Sequence, residues 1–460
     1  MSLFGSLSVA RAGMSATGAR AQTASSNIAN VSTPGYVRRE TVLSQSGATG
    51  VTVTDVSRSQ DRILVQSRRD AQSQSARSEV INSVLSRALS AFGEPGSEGG
   101  VFGAFTQLES DLQALRSTPE SDAAQLITVD SLKDLTRALT DASQDLQLER
   151  TNADARLATD ISQANDLASD IFELNSDIRT ADANARDTTA LLDQRDQLLD
   201  QLAEKLPFDV IYENTGAVQV RTGSGLILVG ATVNQIEFTP ANKVGPLDTT
   251  TDLGGRLSIP TIDGQPIAPG SGAHAVTEGR IAAYLELRDT TLPKQSEALD
   301  AYALELASAF DALGEPLLLD NGAPVDPLNV LGLSQRLTVN PLVDPSRGGV
   351  PSRLRDGLAA AIPGAPGNDT LLTQLADTLA PFSDKLSIVI SDVSTTSLRA
   401  ERIHSGNLAR EITLSEAEAE LSAVDLDYEL QSLLAIEQAY NANARVIQTI
   451  SDMLDTLARI

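Results

Sequence analysis

The run from Ala423 to Ile460 constrains this chain more than any other stretch. Leu426, Leu433, Tyr440, Ile447 and Leu454 fall seven apart, and Ile436, Ile450 and Leu457 fill the second apolar position of the repeat. Glu429 and Asn443 are its two polar exceptions. With no Pro or Gly in the span, this is the a/d pattern of a coiled-coil helix, reaching roughly 50 Å at ~1.5 Å per residue. Such a stripe needs a partner, and the first candidate lies at the other end of the chain. Leu3, Leu7, Ala10, Met14, Thr17, Ala21, Ala24, Ile28 and Val31 repeat with the same three-four spacing. Two heptad helices at opposite termini imply that the ends meet and that the middle is held out from them.

At 460 residues the chain is too long for a single core. Aromatic residues make up only 3% and Trp is absent, so the cores must be built from Leu, Ile, Val and Ala, which favours helix packed on helix. The absence of Cys excludes disulfides, thiolate zinc sites and cysteine nucleophiles. A net charge of −26 argues against nucleic-acid binding. The charge is uneven: ten Arg stand against five acids up to residue 90, and ten acids against two Arg in the last fifty residues. The two ends are therefore complementary in sign, although an exposed pair contributes at most ~1 kcal/mol. The start lacks a basic segment followed by a continuous apolar run, and no window approaches ~18 consecutive apolar residues. Neither a cleavable leader nor a membrane insertion is expected.

Along the chain, residues 2–30 read as one helix, stopped where Pro34 disfavours helix at Thr33 and Gly35 permits a turn. Side chains of Ser26 to Asn30 can bond the last turn. Alternating residues at Glu40–Leu43 and Val51–Val56 predict a hairpin around Gly47 and Gly50. A helix from Gln60 to Ala91 ends at the Gly93–Gly100 loop. Phe102 to Leu206 is helical with a break at Thr118–Asp122, where Pro119 suits a helix start. Leu157, Ile161, Ala164, Ala168, Ile171 and Ile178 form one buried stripe there, and Leu192, Leu199, Leu202 and Leu206 another. At Pro207 the period changes to short β-rich runs, giving an inserted all-β domain over 208–278. Helices are expected again at Arg280–Asp289, Lys294–Leu313, Leu371–Ala380 and Leu386–Glu418. Residues 314–368 form a Pro/Gly-rich excursion with a strand at Arg336–Asn340.

The expected fold class is thus mainly α with an inserted all-β domain. Terminal helices (1–40 and 423–460) form a coiled-coil layer. A long-helix bundle (41–207 and 279–422) follows, with the β domain (208–278) nested within it.

A search for catalytic chemistry finds none. His274 and His404 have no ligand at metal spacing, and no Walker A, GxSxG, HExxH or EF-hand pattern occurs. Gly223-Ser224-Gly225 joins strand to strand and opens no helix, so a dinucleotide site fails. Glu416, Glu418 and Glu420 are expected to be solvent-facing charge. No catalytic, metal or cofactor-binding residue is assigned.

The run Ser26-Asn27-Ile28-Ala29-Asn30-Val31-Ser32-Thr33-Pro34-Gly35-Tyr36 resembles the N-terminal motif of bacterial flagellar rod, hook and hook-associated proteins, with Asn27, Ile28, Asn30, Pro34, Gly35 and Tyr36 carrying the match. The residues from Ser422 onward resemble that family's C-terminal motif. The run Leu191–Leu199 (LLDQRDQLL), the segment Gly279–Pro293 and the tail Gln438-Ala439-Tyr440 resemble its hook-associated, hook–filament junction branch.

The resemblance implies a non-enzymatic structural subunit, exported unfolded by the flagellar type III apparatus without cleavage and located outside the cell. It implies a homo-oligomeric ring at the hook tip, contacting the hook protein and the second hook-associated junction protein, with the tail available to an export chaperone. Leu3, Leu7, Ala10, Met14, Ala21, Ala24 and Ile28 would then form the N-terminal subunit seam. Leu426, Leu433, Ile436, Tyr440, Ile447, Ile450, Leu454 and Leu457 would form the C-terminal one, with both termini disordered in the free subunit. A hook or distal-rod protein, or a surface adhesin using the β insert to bind glycans, are the alternatives.

Overall fold

The computed structural model of the protein describes residues 3–46, 50–93, 99–270, 272, 274–314 and 316–458. The expected turn at Gly47, most of the Gly93–Gly100 loop and the end of the heptad run at Ile460 lie outside these residues. In chain order, helix α1 (Leu3–Ala29) leads into strands β1 (Arg39–Ser46) and β2 (Gly50–Arg58). Helices α2 (Arg62–Phe92), α3 (Gly100–Ser117), α4 (Asp122–Ala183) and α5 (Thr189–Lys205) follow. Next come strands β3 (Phe208–Tyr212), β4 (Val218–Thr222), β5 (Ile227–Val229), β6 (Ile236–Glu237), β7 (Thr261–Ile262) and β8 (Gln265–Pro266). Helices α6 (Gly279–Glu286) and α7 (Leu292–Asp311) lead to β9 (Leu318–Asp320), a one-turn α8 (Leu333–Arg336), β10 (Leu337–Val339) and a one-turn α9 (Arg353–Asp356). The chain closes with α10 (Thr370–Ser422) and α11 (Leu426–Ala458).

These elements form two compact units. The first comprises residues 1–73, 164–235 and 408–460; the second comprises 74–163 and 236–407. Three of the four boundaries fall inside α2, α4 and α10, and the fourth lies immediately before β6. Among the described residues no helix is long and apolar enough to cross a membrane.

In the first unit, α1 ends where the sequence stops it: Asn30 Nδ2 donates to Ser26 O at 2.9 Å, ahead of Pro34. The hairpin β1–β2 pairs Arg39 with Arg58 through to Ser46 with Gly50, with a bulge between Val42 and Leu43 that leaves Thr54 unpaired. The meander β3-β4-β5 lies in this unit because helical side chains grip it. Asn175 exchanges both amide hydrogen bonds with Val218, at 2.8 and 3.0 Å, and Gln66 Nε2 donates to Phe208 O at 2.8 Å. Leu199, Leu202, Leu206, Val220 and Val229 are buried around it.

The second sheet, β6-β7-β8, belongs to the other unit. A single inserted domain over 208–278 is therefore not what the chain forms. The reason is again a helical anchor, here an earlier stretch of α4 than the one that carries Asn175. Asp154 Oδ2 accepts from Ala241 N at 2.6 Å, Thr151 Oγ1 from Val244 N at 3.1 Å, and Arg150 donates to Gly245 O and Asp248 O, each at 3.0 Å. Each half of the β-rich stretch is tied to its own stretch of α4.

Two further expectations change in the second unit. The gap expected between Asp289 and Lys294 is a π-helical turn, Leu287–Thr291, that joins α6 to α7 without a break; Pro293 can offer no N–H to the turn before it, and Arg288 O accepts from Arg150 Nε at 3.0 Å. Likewise α10 runs straight through Pro381. Losing one ladder bond is outweighed there by burial of Leu379, Phe382 and Leu386, with the Phe382 ring edge-on to Tyr302 at 5.9 Å. Within 314–368, β10 pairs with β9 at the expected strand.

Candidate assembly interface

The first unit brings together three sequence stretches that lie far apart: the 26–36 motif, the 191–199 run and the C-terminal heptads. α1 and α11 pack antiparallel along most of their length, a geometry that two polar contacts define. Asn27 Nδ2 donates to Glu429 Oε1 at 2.8 Å, and a Cβ at Gly13 would lie 3.0–3.2 Å from the Asn443 carboxamide. The two contacts are two heptads apart on each helix, running in opposite senses. Glu429 and Asn443, the interruptions of the heptad stripe, thus meet the two α1 residues able to receive them. A polar pair buried in a seam fixes register, because any slip leaves it unpaired.

Asn27 is fully satisfied. Its Nδ2 donates also to Arg39 O at 2.9 Å, while its Oδ1 accepts from Tyr36 OH at 2.9 Å and Arg39 N at 3.0 Å. One side chain therefore ties α1, the following loop, β1 and α11. Gly35 has φ +74°, and a Cβ there would fall 2.1 Å from Gln197 Nε2, which donates to Pro34 O at 2.8 Å. The Pro-Gly pair is in this way a docking surface for α5.

On α5, Asp193, Asp196 and Asp200 are spaced to share one helix face. Asp193 binds Arg58 at 2.8 Å and Arg39 at 3.4 Å; Asp196 binds Arg58 at 2.6 Å and Arg69 at 3.2 Å. Asp200 accepts from Arg68 at 2.6 Å and Arg69 at 2.7 Å, and Arg68 also pairs with Glu418. Burial opposes the charge of Asp196, yet Arg58 and Arg69 hold its carboxyl below the usual carboxylate range. Burial wins at Asp193 and pushes its carboxyl up. Glu418 is thus not the free surface charge the sequence reading expected, whereas Glu416 and Glu420 are exposed.

The stem of the hairpin then holds the joint between the last two helices. Arg38 N donates to Ser422 O at 2.8 Å and Ser59 Oγ to Leu421 O at 3.2 Å. Asp425 caps α11 by accepting from Asp427 N at 2.9 Å and Tyr428 N at 3.2 Å.

The heptad residues divide into two groups. On α1, Ala10, Thr17 and Ala24 are buried, as are Ala16 and Asn27, while Leu3, Leu7, Met14, Ala21 and Ile28 are half-buried and Val31 lies exposed beyond the helix end. On α11, Ile436 and Ile450 are buried and Leu433, Ile447 and Leu454 half-buried. Leu426, Tyr440 and Leu457 are exposed, Tyr440 at 44% and Leu457 at 59%. Outside the heptad positions, Leu430, Leu434, Val446 and Met453 are exposed too, and so are Phe4 and Val9 on α1. One face of this helix pair is satisfied within the chain and the other is open and apolar. Among the described residues no group of three His, Cys, Asp or Glu side chains is gathered as a metal site. His274 and His404 are half-buried, each in the second unit.

Two of the glycines of α1, Gly13 and Gly18, separate packing from propensity. Gly13→Leu is expected to force α1 off α11 and cost about 1–3 kcal/mol, whereas Gly18→Ala, with open space around it, should add about 0.5–1 kcal/mol. Urea unfolding of the two variants, followed by circular dichroism, checks the opposite signs.

The paired terminal helices bring both end motifs into one unit, and the families that match the chain are those of flagellar structural proteins. Residues 7–36 match the family described as flagella basal body rod protein, and residues 418–460 the flagellar basal body rod FlgEFG protein C-terminal family. Residues 85–316, half of the chain, match the flagellar hook-associated protein FlgK helical domain. The chain belongs to the FlgK family of flagellar hook-associated proteins, with a structural role at the flagellar junction and no enzymatic one.

Among its relatives, flagellar hook-associated protein 1 of Escherichia coli K12 is 24% identical, the match covering 98% of each chain. The Bacillus subtilis protein of the same name is 22% identical over 99% of this chain and 97% of that one. The Salmonella typhimurium protein is 26% identical over 66% of this chain and 55% of its own. A solved structure, the flagellar hook junction protein FlgK from Burkholderia pseudomallei, aligns with a TM-score of 0.45 at 23% identity, covering 56% of this chain and 45% of that one.

Proposed function

We propose that this chain builds a ring of identical subunits at the distal end of the hook, beneath the second hook-associated junction protein and the filament. It reaches that place outside the cell by type III export, with its tail offered to an export chaperone on the way. The carrying observation is the half-satisfied helix pair: α1 and α11 bury one stripe against each other and leave the other to neighbours. The open faces are complementary in charge as well. Arg11 and Arg20 are exposed on α1, as are Phe4 and Val9, and Glu437 and Asp452 are exposed on α11, as are Leu434 and Met453. In this reading the exposed heptad residues Leu426, Tyr440 and Leu457 and the half-buried Leu3, Leu7, Met14 and Ile447 complete their burial between subunits.

The test is complementation of a strain lacking this protein. The full chain should restore filaments on hooks seen by electron microscopy. A chain ending at Val424, which lacks α11, should leave bare hooks. Normal filaments from the truncated chain would overturn the reading.

A further inference from the structure

The second unit holds an apolar cleft of about 430 Å³ walled by Phe310, Leu317, Leu354, Leu358, Leu371 and Leu375. Two charged side chains stand at it, Arg353 and Asp356. Asp356 is already engaged: Arg355 meets both of its oxygens, at 2.7 and 3.0 Å, and these bonds hold its carboxyl below the usual range. Arg353 makes no ion pair among the described residues, spending one donor on Leu358 O at 3.1 Å. The cleft therefore offers an apolar floor and one uncommitted positive charge.

The same unit carries a feature of opposite shape and sign. Leu328 is 95% exposed at the tip of a turn beginning at Asp326. The turn is held on both sides. Asp326 Oδ1 accepts from Leu328 N at 2.9 Å, and Arg336, itself paired with Asp320, donates to Asn329 O at 2.9 Å and Leu331 O at 2.7 Å. Asp300 Oδ2 accepts from Gly332 N at 2.6 Å. A leucine pinned outward loses little freedom on docking, which is the main cost such a contact would otherwise carry. Asp326 is exposed and makes no ion pair among the described residues, so the knob has an acid beside it as the cleft has a base.

We propose that Leu328 of one copy seats in the Phe310–Leu375 cleft of a neighbouring copy, with Asp326 against Arg353. This is a head-to-tail contact between second units, additional to the terminal helices, and it rests on the side-by-side assembly proposed above. No residue of the knob lines the cleft, so two distinct patches meet, as in a heterologous contact.

Because the chain contains no Cys, introduced thiols are the only ones present. Leu328→Cys and Ala359→Cys, both at exposed positions, are co-expressed as separate full-length chains in the strain lacking the protein. Hook–filament particles are then isolated and mildly oxidised. A species of doubled mass on a non-reducing gel, present with both variants and absent with either alone, is the expected result. Placing Leu328→Asp in the Ala359→Cys chain should leave the doubled-mass species intact, since the partner still supplies the knob. Arg353→Glu in that chain should diminish it at least several-fold, and Asp326→Arg in the Leu328→Cys chain should restore it. Filaments without the doubled-mass species would overturn the contact and leave the assembly reading standing. Bare hooks with the unmodified chain would sink the assembly reading itself.

Discussion

Cells carrying Leu430→Asp together with Leu434→Asp are expected to make hooks without filaments, while the purified chain keeps its stability to within about 0.5 kcal/mol per substitution. Both leucines are exposed, at 49% and 60%, on the side of α11 turned away from α1. A carboxylate there meets water in the free chain and disturbs nothing. Between assembled copies the same carboxylate would be desolvated without a partner, which costs several kcal/mol per site. Repetition around a ring multiplies that penalty. Ile436→Asp is the contrast: Ile436 is buried against α1, so this change should lower monomer stability as well as abolish filaments. Electron microscopy of hooks, with urea midpoints of the purified variants, separates the two outcomes. Equal loss of monomer stability in both would show that the outer face of α11 is already committed within the chain.

Arg288→Ala should be the most destabilising single change in the second unit, at about 3–5 kcal/mol. The Arg288 side chain is 0% exposed and that of Asp154 1%. The guanidinium contacts Asp154 at 2.6 Å and both oxygens of Asp289 at 2.7 and 2.9 Å, and donates to Ser258 O at 3.0 Å. Burial works against its charge, but these carboxylates outweigh it and hold the guanidinium above its ordinary range. Truncation strands two carboxylates in the interior and frees the chain near Ser258 from the π-helical turn. A domain is stable by only about 5–15 kcal/mol, so the loss is a large share of the whole. Arg288→Met combined with Asp154→Leu should recover part of it, because removing both charges leaves fewer of them unpaired. Urea unfolding of these two variants, with the single changes Arg288→Met and Asp154→Leu beside them, gives the coupling; an Arg288→Ala cost below about 1 kcal/mol would contradict a buried, engaged pair.

Much of the terminal architecture was legible beforehand. Period seven at both ends, the Pro34-Gly35 stop and the hairpin signals follow from local chemistry. Spacing and turn residues act on the chain wherever it goes. The arginine–carboxylate cluster was not legible. Asp193, Asp196 and Asp200 announce a shared helix face, but nothing local says that Arg39, Arg58, Arg68 and Arg69 will meet it, because those contacts close loops of more than a hundred residues. The strongest signal that went unread was the pair of polar gaps at Glu429 and Asn443. Their separation of two heptads matches that of Gly13 and Asn27, but a parallel pair would show the same spacing, and only the folded contacts of Asn27 with Glu429 and of Gly13 with Asn443 make the register antiparallel.

The β-rich stretch failed for the opposite reason. Gly, Thr and Pro between residues 208 and 278 correctly indicate short strands, yet strand propensity does not say which helices will receive them. Asn175 and Gln66 take the first sheet and Asp154, Thr151 and Arg150 the second, so one compositional segment serves two units. Pro381 makes the same point, since buried neighbours overrule a local preference to break.

By itself the sequence determined that the ends are heptad helices and which flagellar family the termini belong to. Both depend on residue type at fixed spacing. Only the tertiary structure decided which half of each stripe the chain buries and which it leaves exposed, because that choice depends on register and on long-range polar pairs such as Asn27 with Glu429. Burial is a property of the folded surface, and no periodicity can apportion it between a chain and its neighbours.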